Sequence, residues 1–284
     1  MTVCIGAICE SGETAVVASD RMVTSNYPNI EFEHTKKKIY KISDRCVSLT
    51  AGNAIKPIEL IPCVQEMISK TKSPGMDKII EKMKDAYQYL RYKDAEELLL
   101  KPRALNKDDF YKYGANIFPA QLFYQIDEAF TRYDYGIDVL VVGMDNTGAR
   151  IFSIRNPGIS NCYDTLGFAS IGSGYLHATQ TLISHNYNPS YDISEALNIV
   201  YTAKRAAEKA PGVGHKTDMA IIGSEGITFL PEEALKRIET IYDEVYKEPI
   251  EEIKIKSKKF NEYINTLIPS DNSEGISKDI KPEE

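Results

Sequence analysis

Tryptophan is absent from this 284-residue chain, and with 18 tyrosines present nothing functional follows from that. Other absences exclude more. No apolar run approaches the roughly 18 residues that a membrane-crossing helix needs, so no membrane span is expected. The first residues show no basic segment followed by a long apolar one, so no secretory signal is visible and the cytoplasm is the expected compartment. The five cysteines (Cys4, Cys9, Cys46, Cys63 and Cys162) are odd in number and form no Cys-x-x-Cys pair. That spacing argues against a disulfide framework or a zinc site, and the thiols read as small apolar side chains. Positive charge is in deficit, 34 Lys and Arg against 41 Asp and Glu, which is a poor footprint for nucleic acid despite the local run Lys36-Lys37-Lys38. There is no internal repeat, and no metal or organic cofactor is suggested.

What is present alternates between β blocks and helical blocks. Residues 2–9 (TVCIGAIC) and 14–19 (TAVVAS) flank a turn at 10–13 and read as an antiparallel hairpin. Residues 38–43 and 46–50 form a second pair ending at Ala51-Gly52-Asn53. Helical spacing follows through Ile55, Ile58, Ile61, Val64 and Ile68, with Pro57 in the first turn and Pro62 as a potential kink. A helix is expected over 76–100, a connection over 101–109 and another helix over 118–130. Strands are expected at 138–144, 149–155 and 160–163, and one entering a helix at 168–174. That helix carries Leu176, Thr179, Leu182 and Ile183. The next begins at a capping box of Asp192 and Glu195. A last hairpin spans 218–222 and 227–230. This is not the alternating βαβ order of a doubly wound sheet. It predicts an α+β fold, two stacked antiparallel sheets with helices on their outer faces, that is, a four-layer αββα sandwich. The expected organisation is one domain over 1–235, a charged helical extension over 236–267, and a tail over 268–284 with few apolar groups.

The chemistry concentrates near the start. Thr2 follows an initiator methionine whose removal a small second residue permits. A threonine hydroxyl is a weak nucleophile until a base takes its proton. A free α-amine on the same residue is such a base, with a pKa of about 7.7–8.0. A nearby cation favours the unprotonated amine, a buried carboxylate holds the cation, and a backbone N–H can stabilise an oxyanion. Asp20 ends the second strand, Lys38 opens the third and Gly52 ends the fourth. Each has a second reading: Asp20 paired with Arg21, Lys38 as one solvated charge among three, and Gly52 as a turn residue.

Taken in order, T-V-C-I-G, A-S-D-R-M-V-T, K-K-I-Y-K-I and L-T-A-G resemble the opening of proteasome β subunits and of the bacterial HslV peptidase. The resemblance extends over residues 2–235, through Ile171-Gly172-Ser173-Gly174 and Asp218-Met219-Ala220-Ile221. It implies an N-terminal-nucleophile hydrolase with Thr2 as nucleophile, Asp20 as catalytic acid and Lys38 as catalytic lysine. Gly52 falls on the oxyanion-hole glycine and Ser173 on the serine near the amine. It places Thr24 on the threonine whose backbone binds extended substrate, and Val23, Lys36, Thr50 and Ala54 on residues that shape side-chain preference. Lys36 would favour acidic groups.

The implied activity is a threonine-type endopeptidase acting on unfolded polypeptide inside a homo-oligomeric ring, served by any ATPase as a separate protein. The short segment before Thr2 resembles HslV and smaller bacterial relatives such as Anbu. One departure stands out. Ala210-Pro211-Gly212-Val213-Gly214-His215-Lys216 replaces the acid and Ser-Gly-Gly-like turn of active members, which predicts a gap in the hydrogen-bond network. His215 either substitutes or is structural. The alternatives are a non-catalytic subunit of such an assembly and an amidase for small amides.

Overall fold

The computed structural model describes residues 2–26, 29–33, 37–69, 71, 74–246 and 258. The chain divides into two units, Met1–Leu235 and Lys236–Glu284. The first unit is α+β. One five-stranded antiparallel sheet holds β1 (Cys4–Cys9), β2 (Thr14–Asp20), β10 (Phe168–Ile171), β11 (Thr217–Gly223) and β12 (Gly226–Phe229), in the order β10-β1-β2-β11-β12. A second comprises β5 (Ile39–Ser43), β6 (Cys46–Gly52), β7 (Ile137–Asp145), β8 (Gly148–Arg155) and β9 (Ile159–Cys162) in chain order, also antiparallel. A separate hairpin, β3 (Met22–Asn26) with β4 (Asn29–Glu33), was not foreseen from the sequence.

β1 and β2 are buried along their whole length. Both faces of these strands are covered, so their sequences are nearly continuously apolar rather than alternating. Cys4, Ile8, Ala15 and Val17 join Val47, Leu49, Leu140, Val142 and Ile151 in one core cluster, which joins the two sheets face to face. Gly6 lies in this seam, and a Cβ there would sit 2.7 Å from Val142 Cγ2, so the missing side chain permits the close approach of β1. The opposite face of β1 and β2 meets α6 (Ile193–Ala207), which starts at the expected capping box: Glu195 N–H donates to Asp192 at 2.8 Å, and Asp192 N–H donates to Glu195 at 3.0 Å. On the second sheet, Val139, Val141, Phe152 and Ile154 pack with Leu60 and Val64 of α1 (Pro57–Ile68) and Met83 and Tyr87 of α2 (Met76–Leu99).

Several local expectations change. Pro62 sits inside an uninterrupted α1, and Ile55 and Ile58 are exposed rather than part of its buried face. The connection expected at 101–109 instead leads into α3 (Lys107–Ile117), capped by Asn106, which packs with α4 (Ala120–Thr131) around Phe110, Ile126 and Phe130. In α5 (Tyr175–Ser184) the buried residues are Ala178 and Leu182, while Leu176 and Ile183 face solvent. α7 runs over Glu232–Tyr246, and the expected tail from 268 onward lies outside the described residues. No helix among the described residues is long and apolar enough to cross a membrane.

Candidate active site

Strand register brings distant residues to one end of the sheets. Cys4 pairs with Ser19 on one side and with Ile171 on the other. In antiparallel pairing, two residues back along β1 therefore lie beside the end of β2 and the segment after β10, which places Thr2 next to Asp20 and Ser173. In the second sheet Ile39 pairs with Leu49, so Lys38, just ahead of β5, lies next to the end of β6 that carries Gly52.

The side chains converge accordingly. Lys38 Nζ donates to Thr2 Oγ1, and Thr2 Oγ1 donates in turn to Asp20 Oδ1. Lys38 also reaches Asp20 Oδ1 at 3.0 Å. Asp20 is fully buried, and its partners account for both oxygens. Val3 N–H donates to Oδ1 at 2.9 Å, while Met22 N–H at 2.8 Å and Gly214 N–H at 3.1 Å donate to Oδ2. A buried carboxylate without such donors would cost several kcal/mol. Thr2 nitrogen lies 3.2 Å from Ser173 Oγ, which also contacts the carbonyls of Thr2 and Pro211, each at 3.3 Å. Cys4 is no competing nucleophile: burial pushes its thiol up to about 12, Lys38 acting downward and Asp20 upward.

Arg21 does not pair with Asp20. Its guanidinium forks onto both oxygens of Asp218 (3.0 and 2.7 Å) and onto Glu232 (3.2 and 2.8 Å). These hydrogen bonds, Asp218 first, raise it above the ordinary arginine range against the opposing effect of burial. Asp20 is the last residue of β2 and Arg21 the first beyond it, and each finds a different partner.

Loop 210–216 contributes backbone atoms to the site. Gly214 supplies an N–H to Asp20, and Pro211 supplies a carbonyl to Ser173. The His215 side chain is 79% exposed and turns instead to Glu208, with Nδ1 2.8 Å from Oε2. Because these contacts are made by backbone atoms, no side-chain motif marks them.

Thr2 lines two depressions. One, of about 270 Å³, is walled by Met22, Val23, Phe32, Tyr40, Pro57 and Ile58, with Thr50, Ala51, Gly52, Ala54 and the two lysines Lys37 and Lys38. The other, an open trough of about 1000 Å³, runs past Gly52, Ala54, Gly136, Asp138, Arg155 and Ser173. Val23, Thr50 and Ala54 therefore line the pocket that Thr2 also borders. Thr24 lies in β3 opposite Glu31. Lys36 lies outside the described residues. Phe32, Tyr40, Pro57 and Ile58 were not anticipated as lining residues; the β3–β4 hairpin, β5 and the start of α1 bring them there. Among the described residues no group of three or more His, Cys, Asp or Glu side chains is placed to hold a metal ion.

Gly52 closes β6 with φ at +110°, and a Cβ there would collide with the Gly136 carbonyl oxygen and approach Ile137 Cα to 3.1 Å. Gly52→Ala is expected to destabilise the fold by about 1–3 kcal/mol, seen as a lower thermal unfolding midpoint. A midpoint equal to that of the wild type would mean the strand end does not need this backbone conformation.

No family model matches the chain. Among curated proteins, it is 24% identical over 239 residues to a protein described as proteasome subunit beta from Ferroglobus placidus, an alignment that takes in 82% of this chain and 91% of that one.

Proposed function

We propose that this chain is a threonine-type endopeptidase subunit of a proteasome-like assembly, with Thr2 as its nucleophile once Met1 has been removed. The observation that carries the reading is the hydrogen-bonded set Thr2 Oγ1, Lys38 Nζ and Asp20 Oδ1, lying between an apolar pocket and an open trough. The distant proteasome subunit beta similarity points the same way.

In the reaction we envisage, the freed Thr2 amine takes the hydroxyl proton as Oγ1 attacks the peptide carbonyl carbon. The Lys38 ammonium, held by Asp20, stabilises the developing alkoxide, and the Gly52 N–H receives the oxyanion of the tetrahedral intermediate. The amine then passes its proton to the departing amine, the C–N bond breaks, and an ester to Thr2 remains. Water, deprotonated by the same amine, cleaves that ester and restores the hydroxyl. Ser173 Oγ, beside the Thr2 nitrogen, orients the amine. An extended substrate would align along β3 near Thr24 and along Gly52–Ala54. The open trough favours a polypeptide over the small amides that a closed pocket would take. We assign the four-layer αββα arrangement and a homo-oligomeric ring to the same reading, with any unfolding ATPase as a separate protein.

The apolar walls make an apolar side chain the preferred group on the acyl side of the cleaved bond, rather than the acidic one that Lys36 suggested. The test is intact mass together with hydrolysis of fluorogenic peptides. The expected result is a chain lighter by one methionine that cleaves after apolar residues faster than after acidic ones. A native chain that retains Met1 has an amide nitrogen at Thr2 and would serve only as a structural subunit. Faster cleavage after acidic residues would show that the apolar pocket does not select the substrate.

A further inference from the structure

Loop 210–216 is held from beneath by one buried cation. The Lys204 side chain on α6 is 0% exposed. Its Nζ donates to Glu208 Oε1 at 2.6 Å and to the His215 carbonyl. Burial pulls this lysine below the ordinary range; Glu208 and, more weakly, Asp20 oppose the shift, and Arg205 adds to it. An apolar side chain would fill the same helix position without desolvating an ammonium. The retained charge must therefore be offset by what its donors arrange, and they arrange the loop. With the His215 carbonyl fixed, the Lys216 N–H meets Glu33 Oε1 at 2.8 Å, and the Gly214 N–H reaches Asp20 Oδ2. Burial acts to raise the Glu33 carboxyl, but the N–H groups of Lys216 and His215 bring it below the ordinary range. A Cβ on Gly214 would lie 2.8 Å from Glu33 Oε1 and 3.1 Å from Met22 Cβ, so a side chain there would have to displace the Glu33 carboxylate.

We propose that Lys204 is a positioning residue for the Thr2 chemistry: it fixes the His215 carbonyl, so that the Gly214 amide stays on Asp20, and its charge adds to that of Lys38 in the field around Asp20 and Thr2. This rests on Thr2 being the nucleophile. The charged groups that bear on Lys204 are Glu208 and Arg205 at the end of its own helix, Asp20 at the end of β2, and His215 and Lys216 in the loop, where Glu33 of β4 accepts from the Lys216 N–H.

The experiment measures kcat and KM on an apolar fluorogenic peptide across pH for wild type, Thr2→Ala, Lys204→Met, Glu208→Gln and His215→Gln, with thermal unfolding alongside. Lys204→Met is expected to lower kcat about 10- to 100-fold with KM near the wild-type value. It should also move the acid limb of kcat/KM to higher pH, because removing a cation lets the amine hold its proton more tightly. Glu208→Gln keeps an acceptor for Lys204 but removes a neutralising charge, so its limb should move to lower pH. A lysine that only stabilises the helix would lower the melting point and leave both limbs in place.

If wild type cleaves through Thr2 while Lys204→Met keeps its kcat and its acid limb, the inference is overturned alone. If Lys204→Met does not fold, Glu208→Gln decides: a limb moved downward supports the inference and an unmoved limb overturns it. The exposed His215 side chain contacts Glu208, so His215→Gln is a control expected to leave the limb in place. A shift there as large as that of Lys204→Met would transfer the effect to His215 and overturn the inference. Should Thr2→Ala cleave as fast as wild type, the peptidase reading falls first and the Lys204 role falls with it.

Discussion

Thr2→Ala is expected to abolish peptide hydrolysis, with a loss on the order of 10⁶-fold, the scale on which a hydrolase falls when its nucleophile is removed. The substitution deletes the one atom shared by Lys38 and Asp20 at the head of the site. It leaves their 3.0 Å contact and the three backbone donors to Asp20 in place. The stability cost should therefore be small, about 1 kcal/mol for the lost hydrogen bonding. Fluorogenic peptide and unfolded-protein assays, read beside thermal unfolding, separate the two effects. Thr2→Ser keeps both hydroxyl and amine and should retain measurable turnover. Equal rates for Thr2→Ala and wild type would remove Thr2 from the mechanism. In wild type the neighbouring Lys38 ammonium disfavours the protonated amine, so kcat/KM should rise with pH through a limb below the ordinary α-amine value of about 7.7–8.0.

Lys38→Ala should lower kcat by about 10²–10⁴-fold, the usual range for a group that assists proton transfer. Here the fold is also affected. Asp20 is fully buried, and Lys38 is the side-chain cation in direct contact with it among the described residues, so its removal leaves the carboxylate without a contacting counter-ion. The Thr2 hydroxyl and three backbone N–H groups still donate to it, so the loss belongs at the lower end for a broken buried pair, about 3 kcal/mol. Lys38→Arg separates charge from shape. A guanidinium keeps the cation but is planar and bulkier than an ammonium. It should recover stability more fully than turnover, as shown by melting and rate measured on the same preparation. Full activity in Lys38→Ala would mean that the contact with Thr2 Oγ1 is structural.

How far the sequence could be read depended on the range of the interaction involved. Strands β1, β2, β5 and β6, the α6 capping box and the α+β order follow from local patterning, and the structure shows them at nearly those bounds. The β3–β4 hairpin escaped because its first strand, M-V-T-S-N, does not alternate between apolar and polar residues. Helix α3 was missed because Asp108, Asp109, Lys112 and the four aromatic or apolar residues Phe110, Tyr111, Tyr113 and Ile117 give no clean stripe until Phe110 is placed against Phe123 and Phe130. The faces of α1 and α5 were misread for a similar reason: Ile58, Leu176 and Ile183 fit the helical period but point away from the core.

By itself the sequence singled out candidates for reactive chemistry: a threonine following the first methionine, an acid and a lysine at strand ends, and a glycine where a strand stops. These depend on residue type and local spacing. Tertiary structure decided which of them meet. The register of β1 against β2 and β10 sets Thr2 beside Asp20 and beside Ser173, 171 residues away in the chain. The fold sends Arg21 to Asp218 and leaves Asp20 to Lys38. It also recruits the Gly214 amide, which no side-chain pattern could announce, because backbone donors are the same at every residue and only the path of the chain aims them.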